Sequence, residues 1–332
     1  MSNTKYDVIG IGNAIVDIIA RCNEAFLANH GMAKGFMQLI SASQADDLYG
    51  AMGTAVEQSG GSAANTCAGI ASLGGTCGFI GRVARDRFGD VFAHDIRAIG
   101  VAYDTPASGA GLATARCLVL VTPDGERTMN TFLGASTELG ERDIGEDMIG
   151  SAKITYLEGY LFDKEDAKAA FHQAAALARA AGRKVALSLS DAFCVDRHRE
   201  DFLHLVRSGV DILFANEAEI TALYQLTAFE DAAGAVRAEC EIAVLTRSAA
   251  GALIVSGNET IAVPAERIDK VADATGAGDL YAAGFLYGLT RGSDLAACGR
   301  LGALAAAEVI SHLGARPEVS LRELAEAKGL LG

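Results

Sequence analysis

The sequence predicts an α/β fold, a mostly parallel central sheet flanked by helices, with one small β excursion. Two observations carry that expectation. Short apolar runs alternate with alanine-rich helical stretches along most of the chain, the rhythm of strand–helix–strand units. One stretch breaks the rhythm, where Pro123-Asp124-Gly125 joins two strand-like segments as a hairpin signal. With 332 residues, half of them hydrophobic and only four of them proline, a substantial core is available.

The elements follow in order. Residues 7–11 read as the first buried strand, 64–73 as a helix and 76–80 as the next strand. A helix over 88–99 ends at Gly100; then come a strand at 154–157, a long helix at 164–181 and a strand at 185–189. Residues 211–215 and 242–246 continue the series of strands. The last third is mostly helix, over 277–289, 295–310 and 321–327. The hairpin comprises 114–121 and 127–133, and further strand-like pieces lie at 17–20 and 36–40. A β insertion of this kind serves as a lid over a site or as a dimer surface. No boundary looks like a linker, so a single domain is expected.

Composition excludes several classes. A formal charge of −14 argues against nucleic acid or an anionic membrane surface as the main partner, because either needs a basic footprint. A nucleotide stays compatible, since local N–H groups and magnesium can hold phosphates against the overall field. The seven cysteines form no Cys-x-x-Cys pair and mostly sit in apolar surroundings, which suits free thiols in a reducing compartment. Residues 1–6 are polar and run straight into a strand, with no visible signal peptide, and no uncharged apolar run reaches membrane-spanning length. The expected location is cytoplasmic.

The most informative motif is Asp273-Ala274-Thr275-Gly276-Ala277-Gly278-Asp279, followed by an apolar helical run over 280–289. A small-residue turn feeding a helix presents free N–H groups and the positive end of the helix dipole, an anion site that phosphate commonly fills. Asp279 stands on the same turn. Repulsion makes this a poor place for a carboxylate unless it takes a proton during the reaction. Phosphoryl transfer is therefore suggested, with Asp279 as the base and the N–H groups of Gly276, Ala277 and Gly278 stabilising charge. The competing reading is a glycine-rich loop capped by Asp.

Four further patterns join it. Gly10-Ile11-Gly12-Asn13 lacks the third glycine of a dinucleotide fingerprint, and instead offers Asn13 and Asp17 near the carboxyl edge of the sheet. A carboxylate there suits two vicinal sugar hydroxyls. Ser59-Gly60-Gly61 leads to Asn65 on the next helix, either a close approach to a ligand or a tight loop into a packed helix. Asn216 with Glu219 makes a capping box, yet an acid at a strand's carboxyl end also suits magnesium held through water. Thr246, Arg247 and Gly251 follow another strand, as phosphate contacts or as a surface turn.

Together these residues resemble the ribokinase-like, or PfkB, carbohydrate kinase family. Residues 273–279 resemble its second signature, Gly60-Gly61 with Asn65 its substrate element, and Asn216 with Glu219 its Asn-x-x-Glu motif. Residues 81–89 resemble a further family turn, with Ala84 in place of a glycine. The resemblance runs from Gly10 to about Pro317. It implies a doubly wound, mostly parallel sheet in one domain over 1–332, with a small β-sheet lid over about 14–42 and 112–134. ATP is the implied donor and magnesium its ion. Potassium is implied against the carbonyls of Asp273 and Thr275 and the loop 311–316.

Within the family the adenosine kinase branch is most similar, through Asn13, Asp17 on the ribose hydroxyls, and Gln38. Strand alternation places Arg127, Met129 and Thr131 on one face. In the resemblance that face looks into the site, with Arg127 near the transferring phosphate and Met129 against a purine. Tyr160 and Phe162 are candidates to stack on the base, or else core residues. The expected reaction is transfer from ATP to the 5′-hydroxyl of adenosine, with a sugar kinase of the same family as the alternative. A non-enzymatic sensor would have no need of Asp279. The partners are then ATP and a nucleoside or sugar, and the protein is a monomer or a lid-mediated homodimer.

Overall fold

The computed structural model describes residues 4–109 and 111–331; Met1 to Asn3, Ala110 and Gly332, all within the expected domain range, lie outside the described residues. In chain order the strands are β1 (Tyr6–Ile11), β2 (Ile15–Arg21), β3 (Met37–Leu39), β4 (Ala55–Gly60), β5 (Cys77–Ile80), β6 (Val101–Tyr103) and β7 (Ala115–Val121). They continue with β8 (Arg127–Phe132), β9 (Ala152–Glu158), β10 (Lys184–Ser188), β11 (Ile212–Asn216), β12 (Ile242–Thr246), β13 (Ala252–Ser256) and β14 (Glu259–Val263).

The large sheet has the order β14-β13-β12-β11-β10-β9-β1-β5-β6. It is parallel from β12 to β6 and antiparallel at β13 and β14. From β1 the chain builds outward to β5 and β6, then crosses to β9 and builds the other way. The order thus reverses at β1, the switch point where open α/β sheets bind ligands beyond their carboxyl ends. Neighbouring residues split between two cores as the strand period demands. Val8 packs under helices Ser62–Ser72, Ala277–Thr290 and Leu295–Val309, while Ile9 packs under Glu165–Ala180 and Arg199–Gly209. Both faces are buried, so the strands read as continuous apolar runs rather than alternating ones. The fold is the expected doubly wound one.

The small sheet has the order β3-β8-β7-β2-β4. The hairpin β7–β8 closes over Thr122 to Glu126, with Gly125 at φ 87° as the turn requires. Around this antiparallel hairpin the sheet is mixed: β2 runs parallel to β7 and β3 parallel to β8. One face is covered by helices Glu24–Asn29 and Ala42–Ala51, whose Leu27, Ala45 and Leu48 pack on Leu118 and Leu120. On the other face Cys117, Val119 and Val121 meet Ile15, Ile19, Met129 and Leu313, the last from the loop after helix Leu295–Val309. That face carries Asp17 beside Cys117.

Candidate active site at the carboxyl edge of the large sheet

Helix Ala277–Thr290 starts at Gly276, which is left-handed at φ 80° and gives the helix no side-chain cap. A Cβ on Gly276 would lie 2.9 Å from the Cα and Cβ of Ala315, so the residue is fixed by both its backbone and its neighbour. Gly278 differs: nothing lies within 4 Å of where its Cβ would be. The start of the helix therefore borders open space, as an anion site needs.

Asp279 is the third residue of that helix. Its Oδ1 accepts from the Ser62 hydroxyl at 2.6 Å and its Oδ2 from the Asn65 amide at 3.0 Å. Thr66 Oγ1 donates to the Asp279 carbonyl at 3.1 Å, so one helix, Ser62–Ser72, grips the residue three times. Burial pushes the Asp279 carboxyl up; Ser62, Asn65 and Arg316 oppose that shift by favouring the charged form. The Oδ1 of Asn65 is buried and has no partner, leaving an acceptor for a ligand hydroxyl.

Asp17 comes from the small sheet, close enough for the Asp279 charge to act on it. A Cβ on Gly60 would lie 2.2 Å from Asp17 Oδ2, so only glycine leaves room for this carboxylate. Burial pushes the Asp17 carboxyl up to about 6; Arg127 and Arg316 lower it, and the Asp279 charge raises it. Arg316 is anchored on carbonyls, donating to Ser59 O at 2.7 Å and 3.0 Å and to Ala64 O at 3.1 Å. It carries positive charge into a region of carboxylates without an ion-pair partner among the described residues.

At the switch point β1 and β9 meet through Glu158. Its Oε1 accepts from the Asn13 side-chain amide at 2.7 Å, and its Oε2 from the Ala63 N–H at 2.8 Å. Ser136 Oγ donates to Asn13 Oδ1 at 2.8 Å. Gly61, at φ 100°, passes so close that a Cβ would meet the Asn13 carbonyl at 2.1 Å. Burial pushes the Glu158 carboxyl up to about 7 against these hydrogen bonds. Asn13, expected as a substrate contact, thus spends both ends of its amide on protein groups.

On the far side Asn216 and Glu219 close a reciprocal capping box at helix Glu217–Tyr224. Asn216 Nδ2 donates to Glu219 Oε1 at 2.6 Å, and the Asn216 N–H to Oε2 at 2.9 Å. Burial pushes the Glu219 carboxyl up to about 7, with Asp191 and Asp279 adding repulsion. Thr246 ends β12. Arg247 lies over the Phe229 ring at 4.2 Å and donates to Glu217 at 3.4 Å. Gly251, at φ 85°, would clash with Val263 O through any Cβ, which gives it a turn role.

The other expected residues are placed as follows. Arg127, expected near a transferring phosphate, is buried in an ion pair with Asp273, and its charge also acts on Asp17. Asp273 also accepts from the N–H groups of Thr275 and Gly314, each at 3.0 Å, and so staples the anion turn to the loop 311–316. Gln38 donates to Asn130 at 2.7 Å. Because Gln38 pairs with Asn130 in register, alternation puts it on the helix-covered face, away from Asp17 and Met129. Phe162 is fully buried and stacked on Phe202 at 4.0 Å, whereas Tyr160 stays 43% exposed beside the acidic cluster. Among the described residues no group of three His, Cys, Asp or Glu side chains is placed to hold a metal ion. No helix of the described residues is long and apolar enough to cross a membrane.

Sequence reasoning passed over Ser62, Glu158 and Arg316. A lone acid closing the apolar run at 154–157 was a readable signal for Glu158. Ser62 and Arg316 have no signature of their own, since their roles depend on which elements meet.

Comparison with known proteins gives consistent relatives. A family model described as pfkB family carbohydrate kinase matches residues 32–321. The chain is 52% identical to the adenosine kinase from Sinorhizobium meliloti, covering 98% of this chain and 99% of that one with a TM-score of 0.90. It is equally 52% identical to a probable sugar kinase protein from Rhizobium etli, covering 99% and 100% with a TM-score of 0.92. The adenosine kinase of Saccharomyces cerevisiae is 26% identical over 330 residues, 92% of this chain and 95% of that protein.

Proposed function

The chain belongs to the pfkB family of carbohydrate kinases, and within it we propose an ATP-dependent adenosine kinase that phosphorylates the 5′-hydroxyl to give AMP. The observation that carries the chemistry is Asp279 at a helix start without a side-chain cap, near enough to Asp17 for their charges to act on each other. Asp279 takes the proton of the attacking hydroxyl, and Asp17 grips the ribose diol. The N–H groups of Gly276 and Gly278 stabilise the charge on the transferring group, whereas that of Ala277, expected to join them, already donates to the Ala274 carbonyl at 3.3 Å. Met129, Ile15 and Ile19, partly buried on the same face as Asp17, offer apolar area that a purine buries and a small sugar cannot.

Magnesium and ATP fit these residues. Burial pushes the carboxyls of Asp17, Glu158 and Glu219 up, and the Asp279 charge adds a smaller repulsion that a divalent cation would relieve. Bound Mg-ATP supplies the phosphoryl group and neutralises its charge; Glu219 would hold the ion through water, and the uncapped helix start would hold phosphate. The small sheet serves as the lid that keeps water from replacing the acceptor.

A sugar acceptor is the second reading, favoured by the equal identity to the Rhizobium etli protein. Incubation with Mg-ATP and a panel of nucleosides and sugars separates the two. Adenosine turnover well above that of ribose or fructose is expected; turnover of sugars alone would overturn the proposal.

A further inference from the structure

The carboxylate oxygens of Asp279 are both taken by donors from one short stretch of helix Ser62–Ser72. Asn65 holds Oδ2, and its own Oδ1 remains free for a ligand. Ser62 holds Oδ1 at 2.6 Å, and Oδ1 is the oxygen with the shorter of the two bonds. Ser62 follows Gly61, whose φ of 100° sets the path of the chain into the helix on which the serine is the first residue.

We propose that the Ser62 hydroxyl is a positioning group for Asp279, holding its carboxylate in the orientation and charge state that proton abstraction needs. The inference rests on the reading of Asp279 as the base. A carboxylate oxygen has two lone pairs, so Oδ1 can keep Ser62 on one and accept the acceptor hydroxyl on the other. The hydroxyl donor favours the ionised form in a pocket that otherwise disfavours it. Asp279 is surrounded by Asp17 from the small sheet, Glu158 and Tyr156 from β9, Tyr160 just after it, Glu219 from helix Glu217–Tyr224, and Arg316 from the loop 311–316. Only Arg316 among these charges helps the carboxylate. Loss of the Ser62 hydrogen bond therefore leaves the base protonated over a wider pH range.

The test is a direct titration of the Asp279 carboxyl carbon by NMR of labelled protein, the signal being identified by its absence in Asp279→Asn. In Ser62→Ala the midpoint is expected to rise by about one pH unit, the size of one charge-assisted hydrogen bond. Ser62→Thr, which keeps the hydroxyl, is expected to restore it, and Ser62→Cys to fall between. Below the midpoint Ser62→Ala should turn over about tenfold more slowly than the parent at the same pH, with the nucleoside KM unchanged. An unmoved midpoint, with Asp279→Asn inactive, would remove the inference alone. Parental turnover in Asp279→Asn would remove the base assignment, and the inference with it.

Discussion

Two helix starts in this molecule carry an acid at the same position and use it in opposite ways. At helix Glu217–Tyr224 the cap is Asn216, and Glu219, third in the helix, folds back onto it. At helix Ala277–Thr290 the cap is Gly276, and Asp279, also third, turns outward to Ser62 and Asn65. The first start satisfies its amides from within, so Glu219 has only its remaining lone pairs to offer a water-held ion. The second has no side-chain cap and borders open space at Gly278. A single change of cap residue, from an amide to a glycine, separates a closed helix start from one that can receive phosphate.

That contrast can be broken at its catalytic end first. Asp279→Asn should lower kcat by about 10²–10⁴-fold, the usual range for a lost general base, while nucleoside binding measured by calorimetry persists. Retained kcat would put the two acids on an equal, structural footing.

The two glycines of the open start give the next test. Gly276→Ala forces a left-handed backbone on alanine, costing about 1–2 kcal/mol, and adds the overlap with Ala315. Gly278→Ala meets no atom within 4 Å, so stability in denaturant should hold or rise by up to about 1 kcal/mol. Its KM for ATP should nevertheless rise, because the new methyl group projects into the ligand's space. Equal melts for both variants would contradict the geometry.

The closed start should respond least, and mainly through pH. Glu219 is raised from 4.5 to about 7 in the fold, so the folded state binds the proton more tightly than the unfolded chain. Its stabilising contribution is complete below about 4.5 and is lost as pH rises towards 7. Glu219→Gln should flatten part of that decline in melting temperature, leaving the part that belongs to Glu158, Asp17 and Asp279, raised in the same direction. An unchanged slope would mean that Glu219 titrates normally.

Much of the large sheet was legible because its strands are buried on both faces and read as plain apolar runs. The half-exposed strands were harder. Strand β4, Ala-Val-Glu-Gln-Ser-Gly, has little apolar pattern and exists because it pairs along β2 at the sheet edge. The β13–β14 hairpin was missed although Gly257-Asn258 between two apolar strands is a turn signal. In the site, residues on one continuous turn, such as Gly276 to Asp279, could be read together. Contacts such as Ser62 with Asp279 or Arg127 with Asp273 join positions 217 and 146 residues apart, and local pattern carries no trace of them. Alternation was informative for Met129 but was not applied to Gln38, whose register only the pairing of β3 with β8 fixes.

The contact between Gly60 and Asp17 has a consequence for genetics. Any side chain at position 60 would place its first carbon 2.2 Å from the Asp17 carboxylate, so every substitution there displaces the same functional group. In a saturation scan scored by growth, position 60 would therefore behave as a second copy of position 17. Suppressors of a Gly60 variant should then be sought at Asp17's surroundings on the small sheet, and a map of tolerated changes would draw the two as one inherited unit.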